Sequence, residues 1–166
     1  SFSTTEYTAF DIMGRVTASK QTTDGVAYGN GTTDSLMTYT YNLAGALIEQ
    51  QYPSGRVVKN TLDADGSLSQ VQSKRSGETW RNIANGFTYN AAGAVEKMRL
   101  GNGLWETTVF NSRLQPTQIG LGLGAAAQDK LKLNYSYGTT ANNGNVVSQT
   151  ITVPGVAHPF VQAYTY

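Results

Sequence analysis

Hydrophobic and polar positions alternate with a period of two over several stretches of the chain. Leu131, Leu133, Tyr135 and Tyr137 alternate with Lys132, Asn134 and Ser136. Leu104, Glu106, Thr108 and Phe110 oppose Trp105, Thr107 and Val109, although Phe110 beside Leu104 leaves the faces imperfectly segregated. A strand points successive side chains to opposite faces, so this period predicts strands. Gly, Asn, Asp and Pro fall between the stretches and predict turns. Ala46 to Tyr52 is expected to turn through Pro53-Ser54-Gly55 into Arg56 to Leu62, and Ala94 to Leu100 through Gly101-Asn102-Gly103 into Leu104 to Phe110. Three-residue turns with a late Gly are common hairpin connectors, often with a bulge.

Other segments read more loosely. Ser1 to Tyr7 already looks like strand. Lys74 to Gly77 is a turn with Glu78 to Ile83 returning, and Gly138 to Gly144 is a long polar turn with Asn145 to Val153 as the partner strand. Pro154-Gly155 leads into a last aromatic strand, Phe160 to Tyr166. Gly120 to Ala127 reads as a flexible crossover, a short helical turn or a Gly/Ala packing stretch.

The elements repeat. Tyr39-Thr40-Tyr41-Asn42-Leu43-Ala44-Gly45-Ala46-Leu47 lies over Phe87-Thr88-Tyr89-Asn90-Ala91-Ala92-Gly93-Ala94-Val95 at an offset of 48, and Gly55 and Leu62 fall over Gly103 and Phe110 in the same register. Weaker copies are Tyr7 to Val16, with Asp11 and Gly14, and Leu62 to Leu68, with Asp63 and Gly66. Phe110 to Leu114 keeps the Asn but lacks the Gly, and Leu133 to Val146 stretches the junction, with Gly144 at its end. The best copies run over 7–16, 39–62, 87–110 and 133–147, with no linker, so residues 1–166 read as one all-β module of consecutive antiparallel hairpins. Within each copy, Tyr-x-Tyr puts two aromatics on one face, the Asx side chain bonds the backbone two residues on, and the Gly takes an open or left-handed position.

Composition agrees with that reading. The 166 residues include 18 Gly and 10 Tyr but only 4 Pro, and the hydrophobic fraction of 39% is too high for disorder on composition alone. With 12 Lys+Arg spread along its length against 11 Asp+Glu, the chain lacks the basic footprint of a nucleic-acid binder. Zero Cys removes disulfides, Cys-based metal sites and thiol catalysis. No apolar run approaches the ~20 residues of a membrane-spanning helix, and no charged-then-apolar leader opens the chain.

Candidate chemistry is thin. Asp63 and Asp65 form the one close carboxylate pair, with Asp24 and Asp34 more distant; Asp63-Ala64-Asp65-Gly66 fits a turn and lacks the continuation of a calcium loop. His158 is the sole imidazole and cannot build a multi-His metal site. No Gly-x-Ser-x-Gly elbow occurs, and Gly120-Leu121-Gly122-Leu123-Gly124 fails both the dinucleotide and the Walker patterns. Neither a catalytic residue nor a cofactor is expected. The aromatics Tyr7, Tyr39, Tyr41, Phe87, Tyr89, Tyr135 and Tyr137 are expected to form packing ladders, with Trp80 and Trp105 beside them; an exposed subset could stack a sugar or cover a partner.

The unit Tyr-x-Tyr/Phe-Asp/Asn-x-x-Gly-Arg/Ala-Val/Leu resembles the YD repeat of the Rhs family, found also in teneurins and in the shell components of insecticidal toxin complexes. Asn42 and Asn90 stand where Asp is usual, and Ala46 and Ala94 where Arg follows the Gly. The resemblance implies hairpins winding into a curved or spiralling sheet, within large shells that enclose a toxic domain or cell-surface scaffolds that contact partners. No counterpart of the family's self-cleaving aspartate segment is found: Asp129 stands alone, and Pro154-Gly155 has no acidic neighbours. The expected role is therefore non-enzymatic and structural, in a secreted or cell-surface protein of which this chain is a piece. The rival readings are a carbohydrate- or protein-binding module and, more remotely, a hydrolase. Expected partners are neighbouring repeats, an enclosed toxin domain or a cell-surface protein, and a second copy meeting exposed strand edges as a homodimer.

Overall fold

A computed structural model describes residues 1–28, 36–140 and 142–166. Asp34 lies outside the described residues. Every regular element among them is a β-strand, and every described pairing is antiparallel. The chain divides into two compact units, Ser1–Ile83 and Ala84–Tyr166.

The first unit holds β1 (Ser3–Phe10), β2 (Val16–Thr23), β3 (Val26–Ala27), β4 (Met37–Tyr41), β5 (Leu47–Gln51), β6 (Val57–Leu62) and β7 (Leu68–Lys74), with the start of β8 (Arg81–Tyr89). Its strands lie in the order β1-β2-β4-β5-β6-β7, with the short β3 on β2. The second unit continues from Ala84 in β8 through β9 (Val95–Leu100), β10 (Trp105–Phe110), β11 (Pro116–Gly122), β12 (Leu131–Ser136), β13 (Ser148–Thr152) and β14 (Phe160–Ala163), each beside its predecessor. Sequential neighbours joined by short turns make each unit a meander, the layout that tandem hairpin signals predict.

Four segments differ from the sequence reading. The strand expected over Glu78 to Ile83 begins at Arg81 and runs on to Tyr89. The strand expected over Asn145 to Val153 begins at Ser148, because Asn143 Oδ1 accepts the Asn145 N–H (3.0 Å) and holds the chain in a turn. The last strand stops at Ala163; beyond it, Tyr164 N–H still reaches the Val147 carbonyl (2.9 Å). Gly120 to Gly122 belong to β11, and the loop 123–130 folds back over them. A Cβ on Gly122 would lie 2.5 Å from the Ala127 carbonyl carbon and oxygen, and one on Gly120 would lie 2.7 Å from Gln128 Cγ. Of the three readings left open, the packing stretch fits: the glycines make room for backbone to cross the sheet.

Little is fully buried. Ala18, Ala84 and Tyr137 are the buried apolar residues among those described, and Ser19 and Ser73 the buried polar ones. Most strand positions are half-buried. Stability therefore rests on the ladders, on cross-strand pairs and on hydrogen bonds at the sheet margins, each a small contribution repeated many times.

Candidate functional site

The turns share one geometry. At Asp11, Asn42, Tyr52, Asp63, Asn90, Leu100 and Asn111, the residue's N–H donates to the carbonyl four residues on, and its own carbonyl accepts the N–H three residues on, all at 2.8–3.2 Å. The fourth residue then has a left-handed backbone: Gly14, Gly45, Gly55, Gly66, Gly93 and Gly103 have φ between +74° and +89°. This is a three-residue hairpin loop closed by a bulge, and a register shift follows in the ladder, as at Thr40/Tyr41 and Thr61/Leu62. In the five Asx turns the side chain adds a clamp. Asp11 Oδ1 accepts the N–H of Met13 (2.9 Å) and of Arg15 (3.0 Å); Asp63, Asn90 and Asn111 repeat both bonds, and Asn42 accepts from Ala46 (2.9 Å). Asp and Asn serve alike because only an acceptor oxygen is needed.

The turn at Asn111 lacks glycine, and Leu114 takes its place at φ +60°. Asn111's two side-chain bonds and the ladder on either side hold a residue that would not choose this conformation. In the longer turn, Gly144 sits at φ +98° with its N–H on Asn142 Oδ1 (3.0 Å).

Side chains then tie one turn to the next along the same margin. Arg15 bonds its own Asp11 (Nε to Oδ2, 2.6 Å), donates Nη1 to the Asn42 carbonyl (3.1 Å) and lies 4.8 Å from the centre of the Tyr41 ring. In the second unit Gln115, also four residues past its Asx, exchanges two hydrogen bonds with the Asn142 amide (2.8 and 3.0 Å), while Arg113 donates to the Asn142 carbonyl (2.8 Å). Partial burial pushes the Asp11 carboxyl up, but the Arg15 and Met13 N–H groups and the Arg15 guanidinium outweigh it and hold it below its ordinary value.

The tyrosines act largely through their hydroxyls. Tyr41 donates to the Val16 carbonyl and Tyr137 to the Pro116 carbonyl, both at 2.9 Å; each acceptor lies five residues past the preceding Asx on that margin. The tyrosine before one junction thus clasps the strand that leaves the previous turn. Burial pushes the Tyr137 phenol above its ordinary value, with Tyr135 adding to the rise. Tyr39 shares a bond with the buried Ser19 (3.0 Å), and Tyr135 accepts from Gln149 (3.2 Å). Phe87 and Tyr89 stack at 6.2 Å, two residues apart on one strand, whereas Tyr7 is exposed on β1. The expected ladder is thus a set of individually anchored aromatics more than a continuous ring stack. Trp80 carries Lys74 at 4.7 Å and Lys59 at 5.9 Å, and Trp105 carries Lys97 at 5.7 Å. The inter-turn ties were not visible in the sequence beyond one signal, the Arg that follows Gly14.

The remaining chemical candidates are dispersed. His158 is exposed in the connection before β14, and Asp63 is occupied by its turn. Asp24, at φ +49°, caps the Phe2 N–H (2.8 Å). Asp129 accepts the Leu123 N–H (3.0 Å), which with neighbouring Lys130 holds its carboxyl below the ordinary value against some desolvation. Among the described residues no three His, Cys, Asp or Glu gather in a way that could hold a metal ion. No helix there is long and apolar enough to cross a membrane. An open groove of about 680 Å³ in the second unit runs between the Asn90 turn and the 123–130 loop, with Thr88, Thr107 and Gln128 in its walls. Thr107 Oγ1 is buried there without a hydrogen-bond partner.

A hairpin-repeat fold with clamped turns defines the class of this chain, and solved structures share it. One is a mutant Tc holotoxin pore of Photorhabdus luminescens: the TM-score is 0.76 at 20% identity, over 98% of this chain and 8% of that one. Another is TcdB2-TccC3, at 0.76 and 19% identity over 98% of this chain and 9% of that one. A third, TcdB2-TccC3 without its hypervariable C-terminal region, matches at 0.71 and 20% identity over 89% of this chain and 7% of that one. The chain thus spans less than a tenth of the solved chains it matches. No family model and no curated protein matches the sequence. At 19–20% identity the likeness shows that this chain shares their fold.

Proposed function

We propose that residues 1–166 form one repeat module in the wall of a large YD-type shell or scaffold, secreted or at the cell surface, that encloses or presents a toxin domain. The observation that carries this reading is the inter-turn tie: Arg15 to Asn42, and Gln115 with Arg113 to Asn142, join successive hairpins along a margin. Such ties suit a protein whose job is to propagate a surface, since each repeat contacts its neighbour and needs no convergent pocket. The likeness to Tc-toxin chains supports the same role. The turn residues named above and the anchored tyrosines are the groups we assign to it; no catalytic step is required of them. Imaging of the complete reading frame tests the proposal. It should yield a hollow particle with this segment in the wall, and an open string of separate modules would refute it.

A binding role retains one specific support. Tyr7, Phe10, Tyr28 and Phe160 are all more than half exposed, a supply of aromatic surface for a sugar or a protein partner, including a second copy paired at β1 or β14. Glycan-array binding that disappears on replacing these residues would favour it over the wall.

A further inference from the structure

We propose that the corner between the turns 52–56 and 74–78 of the first unit is a binding site for a tetrahedral oxyanion, a sulfate or phosphate group carried by a small molecule. Val57 pairs with Lys74 at the end of the β6–β7 ladder, so Arg56 and Arg75, the next residues outward, leave the sheet side by side. With Arg81 they line a pocket of about 400 Å³ that contains a single carboxylate, Glu78. The ion pairs among the described residues are Asp11–Arg15 and Asp129–Lys130, so no described carboxylate pairs directly with any of these three arginines. Lys74, opposite Val57 in the ladder, sends its side chain to the other face of the sheet, where it lies with Lys59 over Trp80 and takes no part in this corner.

Arg56 and Arg75 follow the last pair of the ladder on either side, so two like charges meet at its end in a chain with 11 acidic residues available. An anion between them would turn repulsion into attraction. Guanidinium groups suit the task because their fork of donors matches two oxygens of a sulfate or phosphate at once. The pocket also has a fixed polar element: Ser73 is 5% exposed, and its Oγ lies 3.5 Å from Arg56 Nη1, steadying that guanidinium. The site is independent of the shell role, because it uses one pair of turns within a single unit.

Calorimetric titration of the 166-residue chain with sodium sulfate, sodium phosphate and N-acetylglucosamine 6-sulfate, at constant low ionic strength, tests the site. Saturable binding should weaken at least tenfold in the double variant R56Q/R75Q and stay within twofold in Lys132→Gln, which lies on β12. A preference for phosphate or for sulfate identifies the ester the natural ligand bears, and either supports the site. Should the double variant fold poorly, Arg81→Gln gives the same reading with a loss of about threefold or more. Absence of saturable binding by all three probes, or unchanged affinity in R56Q/R75Q and Arg81→Gln, overturns the proposal.

Discussion

Gly93 and Leu114 occupy the same place in the same turn, three residues past Asn90 and Asn111, and both have left-handed backbones, at φ +80° and +60°. An alanine at either position should therefore be less stable than a glycine, and by the same amount. A Cβ at Gly93 meets nothing within 4 Å, so Gly93→Ala introduces no clash and reports backbone strain alone. That strain is about 1–2 kcal/mol for an L-residue. The loss of unfolded-state freedom on replacing glycine returns roughly 0.4–1 kcal/mol. The net destabilisation is about 1 kcal/mol. At 114 the informative comparison is Leu114→Gly against Leu114→Ala, which share the loss of the half-exposed leucine side chain and differ only in the Cβ. Glycine should again win by about 1 kcal/mol, the reverse of the order expected at an ordinary strand position. Urea unfolding measures both: with a slope of about 1–3 kcal/mol per molar, the midpoints should differ by roughly 0.3–1 M at unchanged slope. Alanine variants as stable as their glycine counterparts at both sites would refute the claim that the left-handed residue specifies this turn.

Tyr41→Phe and Tyr137→Phe should each cost about 0.5–1.5 kcal/mol in denaturant unfolding, because each removes one hydroxyl-to-carbonyl bond between hairpins. The raised folded pKa of Tyr137 makes its contribution full below the ordinary tyrosine value of 10.0 and lost as pH climbs through the higher folded value, so an alkaline melting series should decline less in Tyr137→Phe. Asp11 and Asp129 have depressed folded values, so their contributions are full above the ordinary 3.8 and lost as pH falls through the lower folded values; thermal melts of Asp11→Asn should show a shallower acid decline than the parent. Gly122→Ala should destabilise by roughly 1–3 kcal/mol and raise protease sensitivity at 123–130, since its Cβ would meet the Ala127 backbone.

What the sequence displays follows the range of the interaction concerned. A clamped turn is complete within five residues, so Asn42 and Gly45, or Asn90 and Gly93, can be read directly from the letters, and the strands between them follow. Leu114 is the exception that tests the rule: its own preference opposes the turn, and Asn111's bonds prevail. The ties between turns span 27 residues from Arg15 to Asn42 and from Gln115 to Asn142, beyond the reach of any local pattern. The folding-back of 123–130 was equally hidden, because Gly-x-Gly has the same letters whether it flexes, turns or yields room to another segment. The tyrosine hydroxyls were obscured by their own rings: an aromatic at a strand position suggests stacking, and nothing in the chain order shows which carbonyl lies within reach.

Because each turn satisfies its hydrogen bonds internally, the segment between one Asx and the next can be copied as a finished part. A duplicated stretch brings its own clamp and its own left-handed residue, and a tyrosine such as Tyr41 or Tyr137 asks of its new neighbour only a backbone carbonyl at the right height. Backbone carbonyls are supplied by every amino acid, so the receiving strand need not co-adapt. Lineages built this way can lengthen by unequal crossing-over and then drift at most strand positions, keeping the path of the chain long after most of its spelling has changed.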